Sequence, residues 1–192
     1  HMAPQAQLVA VCDTVEERAQ EKGREYGAKL AELRQSLPNP EVVLDYRELR
    51  GREDIQMAAI ATESGKHAQM AIDFLEAGKH VLVYKPMALS MQDAERMIAL
   101  AQKKGLCLGV AHQNRFNKTI QALRKAVEDG RFGRILAGNA RILWNRNQEY
   151  YTQAPWRGTY AQDGGCLMNQ CIHNIDLLQW MLGGQMQQVQ AM

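Results

Sequence analysis

The sequence predicts an α/β protein built on a doubly wound parallel sheet. Short apolar runs alternate with segments of helical periodicity, and glycines close several of the predicted helices. Uninterrupted apolar runs are typical of strands that are buried on both faces of a parallel sheet. Such sheets bind ligands at the carboxyl ends of their strands, so the residues that follow each strand are the first candidates for a site.

The first strand is predicted at residues 8–12 and ends at Asp13. Thr14 and Glu17 have the spacing of a capping box, which predicts a helix over residues 15–26. An acidic residue at the tip of such a strand is where a dinucleotide-binding fold holds the adenosine ribose. Its negative charge would repel a 2'-phosphate and therefore favours NAD over NADP. The alternative for Asp13 is an ordinary turn or cap residue.

The same strand and helix unit is repeated in the middle of the chain. The further strands are predicted at residues 57–61, 80–83 and 106–110. A helix capped near Ser90 separates the last two. Thr62, Lys85 and His112 lie just past the strand ends, so we expect all three on one edge of the sheet.

Lys85 precedes a proline, which restricts its backbone to extended geometry while its side chain projects from the strand end. An ammonium fixed at this edge could polarise a substrate oxygen or take part in proton transfer. A solvated surface lysine is the alternative.

Residues 163–180 begin with the turn signal Asp-Gly-Gly and continue as a helix. The helical spacing predicts one apolar stripe, formed by Leu167, Cys171, Ile175, Leu178 and Leu182. Asn169, His173 and Asp176 fall on a second, polar stripe. These polar residues could form a catalytic group, or they could simply pair and cap a half-buried helix.

Residues 77–88, with the sequence AGKHVLVYKPMA, resemble a signature of the glucose-fructose oxidoreductase and inositol dehydrogenase family (Gfo/Idh/MocA). Residues 163–165, followed by His173 and Asp176, resemble its second signature, and the resemblance extends over nearly the whole chain. It implies a partial Rossmann-like domain over residues 1–113 and the start of an α+β substrate domain over residues 114–192. It also implies an NAD(P)-dependent oxidoreductase that moves a hydride between nicotinamide and a sugar, polyol or nucleotide-sugar carbon.

The resemblance implies that Lys85 and His173 are catalytic and that Asn169 orients them. Many relatives have aspartate at the position of Asn169, so the charge support of that carboxylate is absent here, and the branch with asparagine includes nucleotide-sugar 3-dehydrogenases. The resemblance assigns cofactor contacts to Asp13, Thr62, His67, Lys85, Gln113, Trp156 and Arg157. It assigns substrate contacts to Asn114, Arg115 and Asp176, with an anchoring role equally open for Asp176.

Both ends of the chain depart from the family pattern. The sequence contains no GxGxxG, so the first βα unit with its phosphate-binding turn is expected to be missing. Residues 188–192 are interpreted as the beginning of a strand, and the sheet that follows it in the family is expected to be missing. His1-Met2 is either a tag remnant or native sequence. A second hypothesis follows from these departures, namely a truncated, non-catalytic family member that acts as a binding or interaction module.

The remaining segments predict a helix over residues 119–128 and a strand near residues 135–144, followed by an aromatic loop that lines a cleft or packs on itself. The balance of 23 basic against 21 acidic residues gives no reason to propose nucleic acid or a membrane as partner. We expect a cytoplasmic protein with reduced, mostly buried cysteines and without a metal site. The resemblance implies a homo-oligomer in the intact parent.

Overall fold

A computed structural model describes residues 6–35 and 37–190 of the chain. Its five strands are parallel and form two sheets. β1 (Ala10–Cys12) pairs with β2 (Glu41–Val43), and β3 (Met57–Ile60), β4 (His80–Tyr84) and β5 (Leu108–Ala111) pair in that order. The predicted α/β class with parallel strands is confirmed, although the short strand β2 carried no clear sequence signal.

Helices connect the strands as the alternating pattern predicts. α1 (Glu16–Glu32) follows β1, α2 (His67–Glu76) lies between β3 and β4, and α3 (Met91–Lys104) lies between β4 and β5. The hydroxyl of Ser90 accepts a hydrogen bond from the backbone N–H of Asp93, which confirms the predicted cap of α3. Gly105 ends this helix in the left-handed conformation, with φ of 65°.

The start of α1 differs from the prediction. The capping box is wrong, because Val15 occupies the cap position and no side chain of a capping box bonds there. Instead, the Oδ1 atom of Asp13 accepts a hydrogen bond of 2.9 Å from the Val15 N–H. Asp13 therefore satisfies the backbone N–H of the cap residue Val15, and neither Thr14 nor Glu17 caps the helix.

The hydrophobic core lies between the three-stranded sheet and the helices α2 and α3. Its fully buried side chains include Ile72 and Leu75 from α2, Val83 from β4 and Met97 from α3. The core fixes the positions of the strand ends, because each strand that carries a candidate site residue packs against it.

The second half of the chain contains four further helices. They are α4 (Lys118–Glu128), α5 (Gln148–Thr152), α6 (Tyr160–Asp163) and α7 (Ile172–Leu182), with a π-helical turn at Leu167–Cys171 directly before α7. The predicted strand near residues 135–144 is wrong, since this described segment has no regular structure. Residues 188–190 also form no strand, and residues 191–192 lie outside the described residues, as does His1-Met2.

The face of α7 that is buried is not the predicted one. Leu167, Ile175 and Leu182 of the predicted apolar stripe are 62%, 38% and 41% exposed. Asn169 and His173 are only 7% and 6% exposed. The buried side chains in this segment therefore include the polar Asn169 and His173, and the apolar Leu167 and Ile175 are exposed.

Two remaining expectations concern the surface. The cysteines are free, as predicted, but the expectation that most are buried is wrong, because Cys107 and Cys166 are exposed and the other two are half-buried. Within the described part of the chain, no helix is both long and apolar enough to cross a membrane.

Candidate active site

The ends of four strands carry predicted residues. Asp13 follows β1, Thr62 follows the end of β3, Lys85 follows β4 and His112 follows β5. β3, β4 and β5 are parallel neighbours, so the carboxyl ends that carry Thr62, Lys85 and His112 share one edge of the three-stranded sheet, whereas β1 belongs to the two-stranded sheet. Asp13 is half-buried and Thr62 is exposed.

Lys85 joins this edge to the second half of the chain. Its Nζ atom donates hydrogen bonds to the backbone oxygen of Asn169, at 2.6 Å, and to the side-chain Oδ1 of the same residue, at 3.0 Å. Burial lowers the pKa of the Lys85 ammonium, and the negative charge of Asp163 opposes that shift. Lys85 is therefore a half-buried, fixed cation and not a solvated surface lysine.

Asn169 is held in turn by Asp163. The Nδ2 atom of Asn169 donates to the Oδ1 atom of Asp163, and the Oδ2 atom of Asp163 accepts a hydrogen bond of 2.8 Å from the Gly158 N–H. Asp163 is 4% exposed. From the sequence, this aspartate was predicted to be part of a turn and of the second family signature, and no site role was predicted for it.

His173 lies beside two residues of the strand-end segment that follows β5. Its Nε2 atom is 3.4 Å from the Nε2 atom of Gln113, and its ring meets the His112 ring edge to face at 6.0 Å. Burial lowers the pKa of His173, the charges of Lys85 and His112 lower it further, and Asp176 opposes the shift. The pKa of His112 is also lowered, chiefly by burial. Both imidazoles are therefore neutral at pH 7.

Arg115 and Asp176 form an ion pair between the segment after β5 and α7. The Nε atom of Arg115 donates to the Oδ2 atom of Asp176 at 2.7 Å, and a second guanidinium nitrogen donates to Oδ1. The guanidinium also lies 5.0 Å from the centroid of the Trp180 ring. This geometry favours the anchoring role for Asp176. Asn114 is half-buried in the same short 3₁₀ helix, Gln113–Phe116.

His67 is built into the core and does not line the cleft. It is 1% exposed, its Nδ1 atom is 2.7 Å from the Pro86 carbonyl oxygen and its Nε2 atom is 3.0 Å from the Thr62 carbonyl oxygen. Because both ring nitrogens face protein carbonyls, neither is left for a cofactor. The side chain ties the end of β3 to the end of β4, and so supports the backbone beside Lys85.

Trp156 and Arg157 belong to a loop of stacked aromatic and cationic side chains. The guanidinium carbon of Arg157 lies 4.3 Å from the Tyr150 ring centroid and 5.4 Å from that of Trp156. The guanidinium carbon of Arg146 lies 4.8 Å from the same Tyr150 ring centroid. A cavity of about 470 Å³ adjoins this loop, lined by Gln148, Tyr151, Arg157, Gly158, Asp163, Gly165, Cys166 and Gln170. The loop therefore borders the carboxylate that holds Asn169.

A larger cavity, of about 660 Å³, lies between α4, residues 132–140 and α7. None of the predicted site residues lines it, so its size does not make it the catalytic centre. Among the described residues, no group of three or more histidine, cysteine, aspartate or glutamate side chains could hold a metal ion.

Comparison with known proteins adds a family to this geometry. Residues 1–112 match the family model described as "Oxidoreductase family, NAD-binding Rossmann fold" (GFO_IDH_MocA), and residues 120–192 match the model of the GFO/IDH/MocA C-terminal domain. Among curated proteins, the 1-carboxy-3-chloro-3,4-dihydroxycyclohexa-1,5-diene dehydrogenase of Comamonas testosteroni is 32% identical, over 84% of this chain and 40% of its own length.

Solved structures agree with the same grouping. The WlbA dehydrogenase from Chromobacterium violaceum, in complex with NADH and UDP-GlcNAcA, superposes with a TM-score of 0.81 and 36% identity over 93% of this chain and 48% of its own. WlbA from Bordetella pertussis, in complex with the same two molecules, gives a TM-score of 0.80 and 37% identity, with the same coverage. The chain thus spans about half the length of these two proteins.

Proposed function

Because the chain belongs to the Gfo/Idh/MocA oxidoreductase family, we propose that it serves a dehydrogenase that moves a hydride between NAD and a hydroxyl-bearing carbon of a sugar or polyol. We further propose a nucleotide sugar as the substrate. The observation that carries the proposal is the convergence of Lys85, Asn169 and His173, from both halves of the chain, at the carboxyl edge of the sheet.

The NAD assignment is supported by the carboxylate at the end of β1. Only one oxygen of Asp13 is used among the described residues, by the Val15 N–H, so the other is available to a ribose hydroxyl. Its negative charge disfavours the 2'-phosphate of NADP. Thr62, Lys85, Gln113, Trp156 and Arg157 are the further proposed contacts, whereas His67 is reassigned to support of the strand ends.

The chemistry needs a base for the hydroxyl proton, and His173 is our choice. Burial keeps its imidazole neutral near pH 7, so it can accept that proton and return it in the reverse direction. Lys85 would hold the same oxygen as a fixed cation, and Asn169 fixes the ammonium through two oxygen atoms. Bound NAD would supply the hydride acceptor.

The substrate proposal draws on the two similar structures, whose proteins were crystallised with UDP-GlcNAcA. Arg115, with Asn114 beside it, is partly exposed next to the proposed catalytic residues, and its guanidinium is oriented by Asp176. The guanidinium N–H groups that Asp176 does not use are available as donors to the carboxylate of an anionic sugar. The division into a dinucleotide-binding part over residues 1–113 and a substrate part over residues 114–192 belongs to this proposal, and the homo-oligomer stays a prediction.

The test uses the natural full-length polypeptide. NADH binding is followed by quenching of tryptophan fluorescence, and turnover by NADH formation with UDP-GlcNAcA and with neutral sugars. We expect both Lys85→Met and His173→Asn to lower kcat by about 100-fold or more, as loss of acid–base catalysis does, and we expect His173→Asn, which removes none of the proposed NAD contacts, to keep its NADH affinity. Asp129→Asn, at an exposed pair with Lys125, is the matched control.

Two outcomes would overturn the proposal. Full turnover in both variants would remove Lys85 and His173 from the chemistry. NADH binding without turnover of any sugar, polyol or nucleotide sugar would instead favour the non-catalytic binding module.

A further inference from the structure

We propose that Asp163 is a positioning residue that fixes the amide of Asn169 and supplies the negative charge behind Lys85. This inference rests on the proposed function, because it explains how the proposed catalytic lysine is held. Asp163 belongs to the second signature, but the resemblance assigned it no role in the site.

The hydrogen bonds of Asp163 determine which way the Asn169 amide points. A carboxylate can only accept hydrogen bonds, so the NH₂ group of Asn169 has to face Asp163. The amide oxygen is then directed at the Lys85 ammonium, 3.0 Å away. In the flipped arrangement, the amide oxygen would face a carboxylate and the NH₂ group would face an ammonium, so both contacts would be repulsive.

The surrounding backbone is built closely around this carboxylate. Asp163 ends α6, and its second oxygen is bound by the Gly158 N–H at 2.8 Å. The next residue, Gly164, has φ of 76°, and a Cβ atom there would lie 2.8 Å from side-chain atoms of Leu89 and Met168. The side chain is 4% exposed, so its charge is little screened by water.

Asp163 also supplies the charge that Asn169 lacks. Asn169 is neutral, and it contacts Lys85 directly. Burial lowers the pKa of the Lys85 ammonium, and the charge of Asp163 opposes that shift. The neighbouring imidazoles of His112 and His173 supply no negative charge to the ammonium. The arrangement places the Asp163 carboxylate behind the Asn169 amide, two hydrogen bonds from the ammonium, so Lys85 is oriented without direct contact with a carboxylate.

The experiment exchanges the two side chains. Asp163→Asn removes the charge, and the double variant Asp163→Asn with Asn169→Asp restores it with the amide and carboxylate swapped. The pKa of Lys85 is measured from the pH dependence of its acetylation by acetic anhydride, read by mass spectrometry on the full-length protein. We expect Asp163→Asn to lower the labelling midpoint by about one pH unit and the double variant to bring it back above that of the single variant. Asp129→Asn should leave it unchanged.

Turnover provides the second readout. We expect Asp163→Asn to lower kcat by about 100-fold, the order found when a reacting group is displaced by about 1 Å, with unchanged NADH affinity. A labelling midpoint that does not move in Asp163→Asn overturns the inference, as does a double variant that fails to restore it. If Asp163→Asn alone does not fold, a double variant that folds with a recovered midpoint supports the pairing. If the wild-type protein shows no turnover but Asp163→Asn still shifts the labelling midpoint, the proposed function is wrong and the positioning role of Asp163 is supported.

Discussion

Replacing His67 by phenylalanine is expected to destabilise the protein rather than to abolish a cofactor contact. The imidazole is 1% exposed, and its shorter contact, 2.7 Å to the Pro86 carbonyl oxygen, lies in the core. A ring N–H is the group that pairs with such a buried carbonyl oxygen. Phenylalanine fills the space but leaves a buried carbonyl unpaired, which costs about 1–3 kcal/mol of the free energy of unfolding.

The measurement is urea denaturation followed by tryptophan fluorescence, with the slope compared between variants to verify that the same surface is exposed. His67→Gln keeps an N–H donor and is the matched control, with an expected loss smaller than that of phenylalanine. If His67→Phe were as stable as the wild type, the structural role would be refuted. A different result would restore the prediction of a cofactor contact. In that case His67→Gln would be as stable as the wild type, and a fully folded variant would bind NADH more than tenfold more weakly.

Two further predictions concern pH and a glycine. The pKa values of His112 and His173 are lowered from 6.5, so below that pH the unfolded state binds protons that the native state does not. The free energy of unfolding should therefore fall as the pH decreases below about 6.5, and the double variant with glutamine at both positions should flatten that fall in denaturation at pH 7.5 and 5. Gly164→Ala should cost about 2–4 kcal/mol, from the left-handed backbone and a crowded Cβ, whereas Gly105→Ala, with φ of 65° and open space, should cost about 1–2. If thermal melts showed equal losses of stability for Gly164→Ala and Gly105→Ala, crowding of a Cβ atom at Gly164 would be contradicted.

The sequence predicted the parts of the fold that repeat with a regular period. The strands around Val83 and Val110 and the cap at Ser90 follow from local patterns, and local patterns are what periodicity and capping rules describe. Lys85 could be predicted as a site residue because its two signals, the preceding strand and the following proline, are adjacent to it in the sequence.

Features that depend on distant contacts were missed. Asp163 is a turn residue by its sequence neighbours, and only its approach to Asn169 makes it part of the site. Helical spacing groups Leu167 and Ile175 on one stripe but does not say which stripe is covered, and the structure buries Asn169 and His173 instead. The resemblance implied a cofactor contact for His67, whereas the structure buries its ring and pairs both ring nitrogens with protein carbonyls.

The π-helical turn at Leu167–Cys171 also bears on which length changes the gene can tolerate. This turn contains one residue more than an α-turn, so deletion of a single codon here would remove that residue and change the spacing between Asn169 and His173. A deletion at residue 170 or 171 would leave Asn169 in its contact with Lys85 and move His173 relative to both. We therefore expect functional natural variants to differ here by substitution and to be free of insertions and deletions.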